Sequence, residues 1–168
     1  MSTVLIGVQE AAKWFRKSAE QGNSQAQFNL GFMYDNGQGV DQDYKEAGKW
    51  YRKAAEQGDA NAQSTLGAAY HFGQGVTQDD KQAVKWWTKA AAQGNGDALF
   101  NLALMSYNGQ GVPRDYVRAY VLWDFAARKG NKAAAKNRDL IAKKMTVAQV
   151  ERAQETVGHY FPPKKVPK

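Results

Sequence analysis

The chain has 168 residues (18.6 kDa), 43% apolar and 12% aromatic, which excludes wholesale disorder and fits one folded domain with a sizeable core. Its 23 Lys and Arg against 16 Asp and Glu give a formal charge of +7, a surplus that must be located before it can be read as an interaction signal. The absence of cysteine excludes a disulfide scaffold, a thiolate zinc site and a cysteine nucleophile, and no apolar run reaches the roughly 18 residues of a membrane-spanning helix.

The first ten residues lack the cationic stretch and apolar run of a signal peptide. Localisation is therefore left open: cytoplasmic as written, periplasmic or secreted if a signal segment is missing from the chain.

In chain order, the first element is a helix from about Val8 to Gln21. Its Ala11, Trp14, Ala19 and Gly22 stand one period before Ala47, Trp50, Ala55 and Gly58, so 8–22 is half of a repeat. Three ungapped blocks of 36 residues follow, at 23–58, 59–94 and 95–130. Leu30, Leu66 and Leu102 share one register, Ala26, Ala62 and Ala98 another, and GQGV recurs at 37–40, 73–76 and 109–112.

Each block reads as a helical hairpin. Ala26, Leu30, Gly31, Met33 and Tyr34 give the first helix one apolar face. The two loop glycines end it, and Asp43, Asp79 or Asp115 caps the second helix, with Glu46 or Gln82 three residues on completing a capping box. The second helix buries Tyr44, Ala47, Trp50, Tyr51, Ala54 and Ala55. Gly22, Gly58, Gly94 and Gly130 each precede Asn or Asp, a helix stop running directly into the next cap.

The pattern then erodes into a first helix at 131–144, and Thr146 with Gln149 caps a last helix through about Thr156. A single hairpin cannot bury its own aromatic face, so the hairpins must stack, giving a curved all-α solenoid of about nine helices over 1–157. Helices 131–157 form its cap, and 158–168 reads as a basic, Pro-containing tail.

The run Leu30-Gly31 with Tyr34, GxGV, Asp43-Tyr44, A-x-x-W-Y-x-K-A-A at 47–55 and the closing Gln-Gly before Asn or Asp resembles the Sel-one-like repeat, a 36-residue relative of the tetratricopeptide repeat, over about 11–145. The third block departs from it at Ala103, Ser106 and Leu122-Trp123. The resemblance implies a right-handed superhelical solenoid of antiparallel helix pairs, common in bacteria, acting as a non-enzymatic protein-interaction scaffold. Its cysteine-rich secreted members pair a cysteine in each hairpin, which this chain cannot do.

Chemistry is thinly supported. GQGV completes neither a dinucleotide fingerprint nor a phosphate loop and is better read as hairpin geometry. His71 and His159 announce no metal site, the repeated aspartates are explained as caps, and no G-x-S-x-G or HExxH occurs, so no catalytic residue, metal or cofactor is expected. A hydrolase stands as the least supported alternative, because some family members have been described so. Trp14, Trp50 and Trp86, like Tyr51, Trp87 and Trp123, repeat as core residues should.

In tetratricopeptide-like solenoids the first helix of each pair lines the concave surface, and its outward positions vary here from block to block. They are Phe28, Phe32, Asp35 and Asn36, then Ser64, His71 and Phe72, then Phe100, Leu104, Tyr107 and Asn108. These are the candidate partner-binding residues, with aromatic anchors and a few amides suited to a peptide. Phe28 and Phe100 have a second reading, packing against the preceding pair.

At the amino end, Trp14 and Phe15 lack a covering first helix. Met1 to Gly7 folds over them, or an upstream segment is absent, or a second copy covers them in a homodimer. Residues 1–127 hold 12 basic and 13 acidic side chains and 128–168 hold 11 and 3, so the charge belongs to the cap and tail. Electrostatic binding of nucleic acid or another acidic surface by that end is the alternative function, although a protein or peptide partner is expected and nucleic acid is not.

Overall fold

The structure, a computed structural model, describes residues 3–160, with side chains from residue 7 onward. Among the described residues it contains nine α-helices and no strand: α1 (Thr3–Glu20), α2 (Ser24–Asn36), α3 (Tyr44–Glu56), α4 (Ala60–Phe72), α5 (Asp80–Ala92), α6 (Gly96–Asn108), α7 (Tyr116–Arg128), α8 (Lys132–Ala142) and α9 (Val147–Tyr160). The chain divides into two compact units, residues 1–95 and 96–168.

The reversals between repeats follow from local sequence. At Gly58, φ is +96°; its N–H donates to the Ala55 carbonyl and that of Asp59 to the Ala54 carbonyl, both at 3.1 Å. The Asp59 carboxylate then accepts from Ala62 N at 2.8 Å, opening α4. The same set of bonds recurs at Gly22-Asn23 and Gly130-Asn131, so one residue past each helix stop starts the next helix.

Asp43, Asp79 and Asp115 cap α3, α5 and α7 as expected. The capping boxes at Glu46 and Gln82 are a different matter, because the bond that each would return is already satisfied. Asp43 N–H goes to the Tyr34 carbonyl and Asp79 N–H to the Tyr70 carbonyl, each at 2.9 Å, while Glu46 pairs with Lys49. Among the described residues only Thr146 and Gln149 exchange both bonds, at 2.9 and 3.3 Å.

Two ends differ from the sequence expectation. Helix α1 starts at Thr3 rather than near Val8, so residues 3–7 continue the helix instead of folding back, and Trp14 is 70% exposed with Phe15 half-buried. Met1 and Ser2 lie outside the described residues. Helix α9 continues to Tyr160, taking 158–160 out of the expected tail; 161–168 lie outside the described residues.

In the unit of residues 1–95 each helix packs on the next. Trp50 is buried with Ala19, Ala26 and Leu30, and one repeat later Trp86 is buried with Ala54, Ala55, Ala62 and Leu66. Each indole thus joins its own repeat to the one before, and burying 150–250 Å² of it contributes about 4–6 kcal/mol of transfer free energy, an upper figure. The small residues set the spacing: a methyl at Gly31 would lie 2.7 Å from the Tyr51 ring, and one at Gly67 2.7 Å from the Trp87 indole.

A buried amide network runs through the same unit. Gln27 and Gln63 donate to the Ala19 and Ala55 carbonyls at 3.0 Å, and accept from Gln57 and Gln93 at 2.7 and 2.9 Å. The bonds to Ala19 and Ala55 tie each first helix to the end of the preceding repeat's second helix, those from Gln57 and Gln93 tie it to the end of its own, and the buried amides are satisfied.

In the unit of residues 96–168, α7 packs on α6, α8 and α9 around Leu99, Leu102, Met105, Trp123, Ile141 and Ala153. The buried Asp124 carboxylate on α7 pairs with Arg128 and, at 2.8 Å, with Arg138 on α8. Ala103 stands in the register of Gly67. There the Trp123 indole N–H is buried without a partner, whereas that of Trp87 donates to the Ser64 carbonyl at 3.0 Å.

Candidate partner-binding face

In residues 1–95 the expected binding positions fall into three groups. Phe32 (46% exposed) and Phe72 (72% exposed) present large apolar side chains to solvent. Phe28 is half-buried and packs forward, its ring 5.7 Å from Tyr51 and against the cluster that Ala54 and Ala55 of its own repeat form with Ala62, Leu66 and Trp86 of the following one, rather than against the preceding pair. Asn36 is spent locally, its amide donating to the Phe32 carbonyl at 2.9 Å, and Ser64 is half-buried, its backbone carbonyl accepting from Trp87.

His71 is held by Asp80 at 2.7 Å and lies edge-on to Phe72, with ring centroids 4.7 Å apart. Phe72 stands on the wall of a pocket of about 220 Å³ that is also lined by Asp35, Tyr44, Tyr51, Thr65 and Ala68. It opens between the end of α2, the start of α3 and the face of α4.

Two of the polar groups lining this pocket are paired, the Tyr51 hydroxyl donating to the Asp35 carboxylate at 3.4 Å. Burial raises the Asp35 pKa above its ordinary 3.8, and the Tyr51 hydrogen bond offsets part of that rise. Burial, and then the Asp35 charge, push the Tyr51 phenol well above its ordinary range. Since the folded-state pKa of Asp35 exceeds the unfolded one, ionised Asp35 opposes folding above both values, and the penalty vanishes as pH falls below 3.8. Asp35→Asn keeps an acceptor for Tyr51. It is expected to raise the urea midpoint slightly at about pH 7 and to leave it unchanged near pH 3, and partial exposure of Asp35 keeps the gain small.

In residues 96–168, Leu104 and Tyr107 line a second pocket of about 250 Å³ with Trp123, Asn137, Leu140, Ile141 and Lys144. Tyr107 stacks on Tyr116 with centroids 5.5 Å apart and accepts a hydrogen bond from the Lys144 ammonium at 2.8 Å. Phe100 is half-buried, and Asn108 is exposed with its amide on Gln110.

The two pockets occupy the same repeat positions. Asn137, Leu140, Ile141 and Lys144 stand two periods after Thr65, Ala68, Ala69 and Phe72, and Trp123 two periods after Tyr51. Sequence reasoning found Asp35, Phe72, Leu104 and Tyr107. Of the wall supplied by the next repeat's first helix it named only Phe72, and missed Thr65, Ala68, Asn137, Leu140, Ile141 and Lys144, although the register of 131–144 carried that signal. Among the described residues no group of three or more His, Asp or Glu side chains is placed to hold a metal ion, and no helix is long and apolar enough to cross a membrane.

A family model for the Sel1 repeat matches residues 8–23, 24–59, 60–95 and 96–131. The chain belongs to the Sel1 repeat family. Sel1 repeat proteins are generally protein-interaction scaffolds and generally non-catalytic. The crystal structure of a Sel1 repeat protein from Oxalobacter formigenes is 37% identical over 74% of this chain and 94% of that one, with a TM-score of 0.69. The protective antigen c5321 of uropathogenic Escherichia coli, which has an SLR fold, is 32% identical over 94% of this chain and 44% of its own length, with a TM-score of 0.55. Cysteine-rich protein B of Helicobacter pylori, 24% identical with a TM-score of 0.63 over 80% of this chain and 97% of that one, shares the fold. These neighbours are bacterial all-helical SLR solenoid proteins, the fold class expected from the 36-residue period. Curated proteins gave no significant match.

Proposed function

We propose that this Sel1 repeat chain is a non-catalytic scaffold that holds a peptide or protein partner on the first-helix faces of its repeats. The observation that carries this reading is the exposure of Phe32 and of Phe72, the latter on the wall of a largely apolar pocket in residues 1–95. Exposed large aromatics next to a cavity supply anchors of the kind that dominate interface energetics, and positions that differ between repeats give selectivity. Phe28 and Tyr51 support the pocket from behind.

Affinity capture from the native host tests it. Phe32→Ala and Phe72→Ala are expected to lose partners that the unaltered chain retains, with helical content unchanged by circular dichroism. Retention of every partner by both folded variants would remove this face as the site.

A second reading rests on charge. Residues 1–95 carry ten basic and ten acidic side chains, against thirteen and six in 96–168. Such a surplus would draw an anionic partner, nucleic acid included, to the second unit, and a steep fall of binding with salt that shrinks on deleting 158–168 would favour it.

A further inference from the structure

The two pockets share a register but differ in polarity. The pocket in residues 1–95 holds the Asp35 carboxylate, whereas among the described residues the pocket in 96–168 is lined by no acid and carries Lys144 at its rim. Leu140 is 55% exposed at that rim, a large apolar side chain open to solvent beside an ammonium. The two acids nearest in sequence on α7 and α8 are engaged elsewhere: Asp124 with Arg128 and Arg138, and Asp139 with Arg138. Lys144 thus has a phenol oxygen rather than a carboxylate as its partner. About 250 Å³ holds one large side chain and is smaller than the usual range for drug-sized ligands.

Building on the scaffold reading above, we propose that this pocket receives one bulky apolar side chain of an acidic polypeptide segment, and that Lys144 pairs with a carboxylate flanking that side chain. The segment's apolar residue lies against Leu104, Trp123, Leu140 and Ile141, and the Asn137 amide is placed to bond its backbone. The surrounding basic surplus steers the acidic segment to this unit and sets its on-rate. The chain's own carboxy-terminal residues, with Lys164, Lys165 and Lys168, have the wrong sign to be the occupant.

The probe is the blocked peptide acetyl-Asp-Glu-Phe-Glu-Asp-amide, titrated into the full chain while the Leu140 and Ile141 methyls and the Trp123 indole are followed by NMR. Replacing its four carboxylates by amides, or its Phe by Ala, is expected to weaken binding at least fivefold. Lys144→Glu is expected to weaken it about tenfold, the adjacent Lys143→Glu less than twofold, since an exposed pair gains little and a reversed one loses twice. The proposal is overturned if the peptide leaves the pocket signals unmoved up to millimolar concentration, if Lys144→Glu stays within twofold of the unaltered chain, or if the two lysine variants lose affinity equally, which would mean general electrostatic attraction. The Ala-for-Phe peptide binding as well as the parent would also overturn it, in favour of an anion without an anchor, such as nucleic acid. None of these outcomes touches the capture experiment on Phe32 and Phe72, so the two readings fail separately.

Discussion

Gly75→Ala is expected to destabilise the chain by about 3 kcal/mol or more, a loss that few single methyl groups cause. Gly75 has φ +71° in the GQGV loop, a backbone region in which an L side chain is strained by roughly 1–2 kcal/mol. The larger effect is steric. An added Cβ would overlap the Tyr44 carbonyl group and lie 3.1 Å from Lys45 N, at the start of α3 in the preceding repeat. Backbone in the first turn of a capped helix cannot yield as the end of a flexible side chain does, so loop and helix must separate. Gly39 repeats the arrangement, its added Cβ lying 2.8 Å from the Val8 carbonyl carbon of α1. Gly58→Ala supplies the contrast: φ is +96°, but nothing lies within 4 Å, so only backbone strain remains, about 1–2 kcal/mol. Urea unfolding of both variants tests the difference. Equal losses would mean that conformation alone, and not contact between repeats, requires the second glycine of GQGV.

That contact also marks how far the sequence could be read. The 36-residue period was legible because it repeats in the sequence itself, and the caps at Asp43, Asp79 and Asp115 and the glycine reversals because each depends on neighbours a few residues away. The glycine pair of GQGV was legible as a loop but not as a joint, since the group it meets at Tyr44 belongs to the previous repeat. Glu46 failed as a capping-box partner for a similar reason: the Tyr34 carbonyl reaches Asp43 N–H only once the hairpin has closed. Gln27 and Gln63, polar in sequence, are 4% exposed in the structure, because Gln57 and Gln93 return to meet them from the far end of the hairpin.

The candidate binding face was half legible. Variation among period mates drew attention to Asp35, Phe72, Leu104 and Tyr107, while 131–144 read as an eroded first helix within the cap, and its Leu140 and Ile141 were given no binding role. A pocket walled by three consecutive helices has no signature within any one of them. Its discovery needs the register carried across the eroded repeat.

The same dependence makes Asp124 the most informative position in the second unit. Asp124→Ala is expected to cost about 2 kcal/mol: removing one member of a fully buried pair costs 3–5 kcal/mol, but the Arg138 and Arg128 side chains are 26% and 46% exposed and regain water. The carboxylate joins α7 to α8, and α8 carries Asn137, Leu140 and Ile141. Its loss should therefore loosen one pocket wall while leaving Lys144 and Tyr107 chemically unchanged. Amide exchange in α8 should accelerate before that in α6, and the acidic Phe-containing peptide should bind severalfold more weakly. In a double-mutant cycle with Arg138→Ala, a coupling of about 1–2 kcal/mol is expected. A cycle that closes near zero, with α8 protected as in the unaltered chain, would show that Ile141 and Ala134 hold the wall by packing alone.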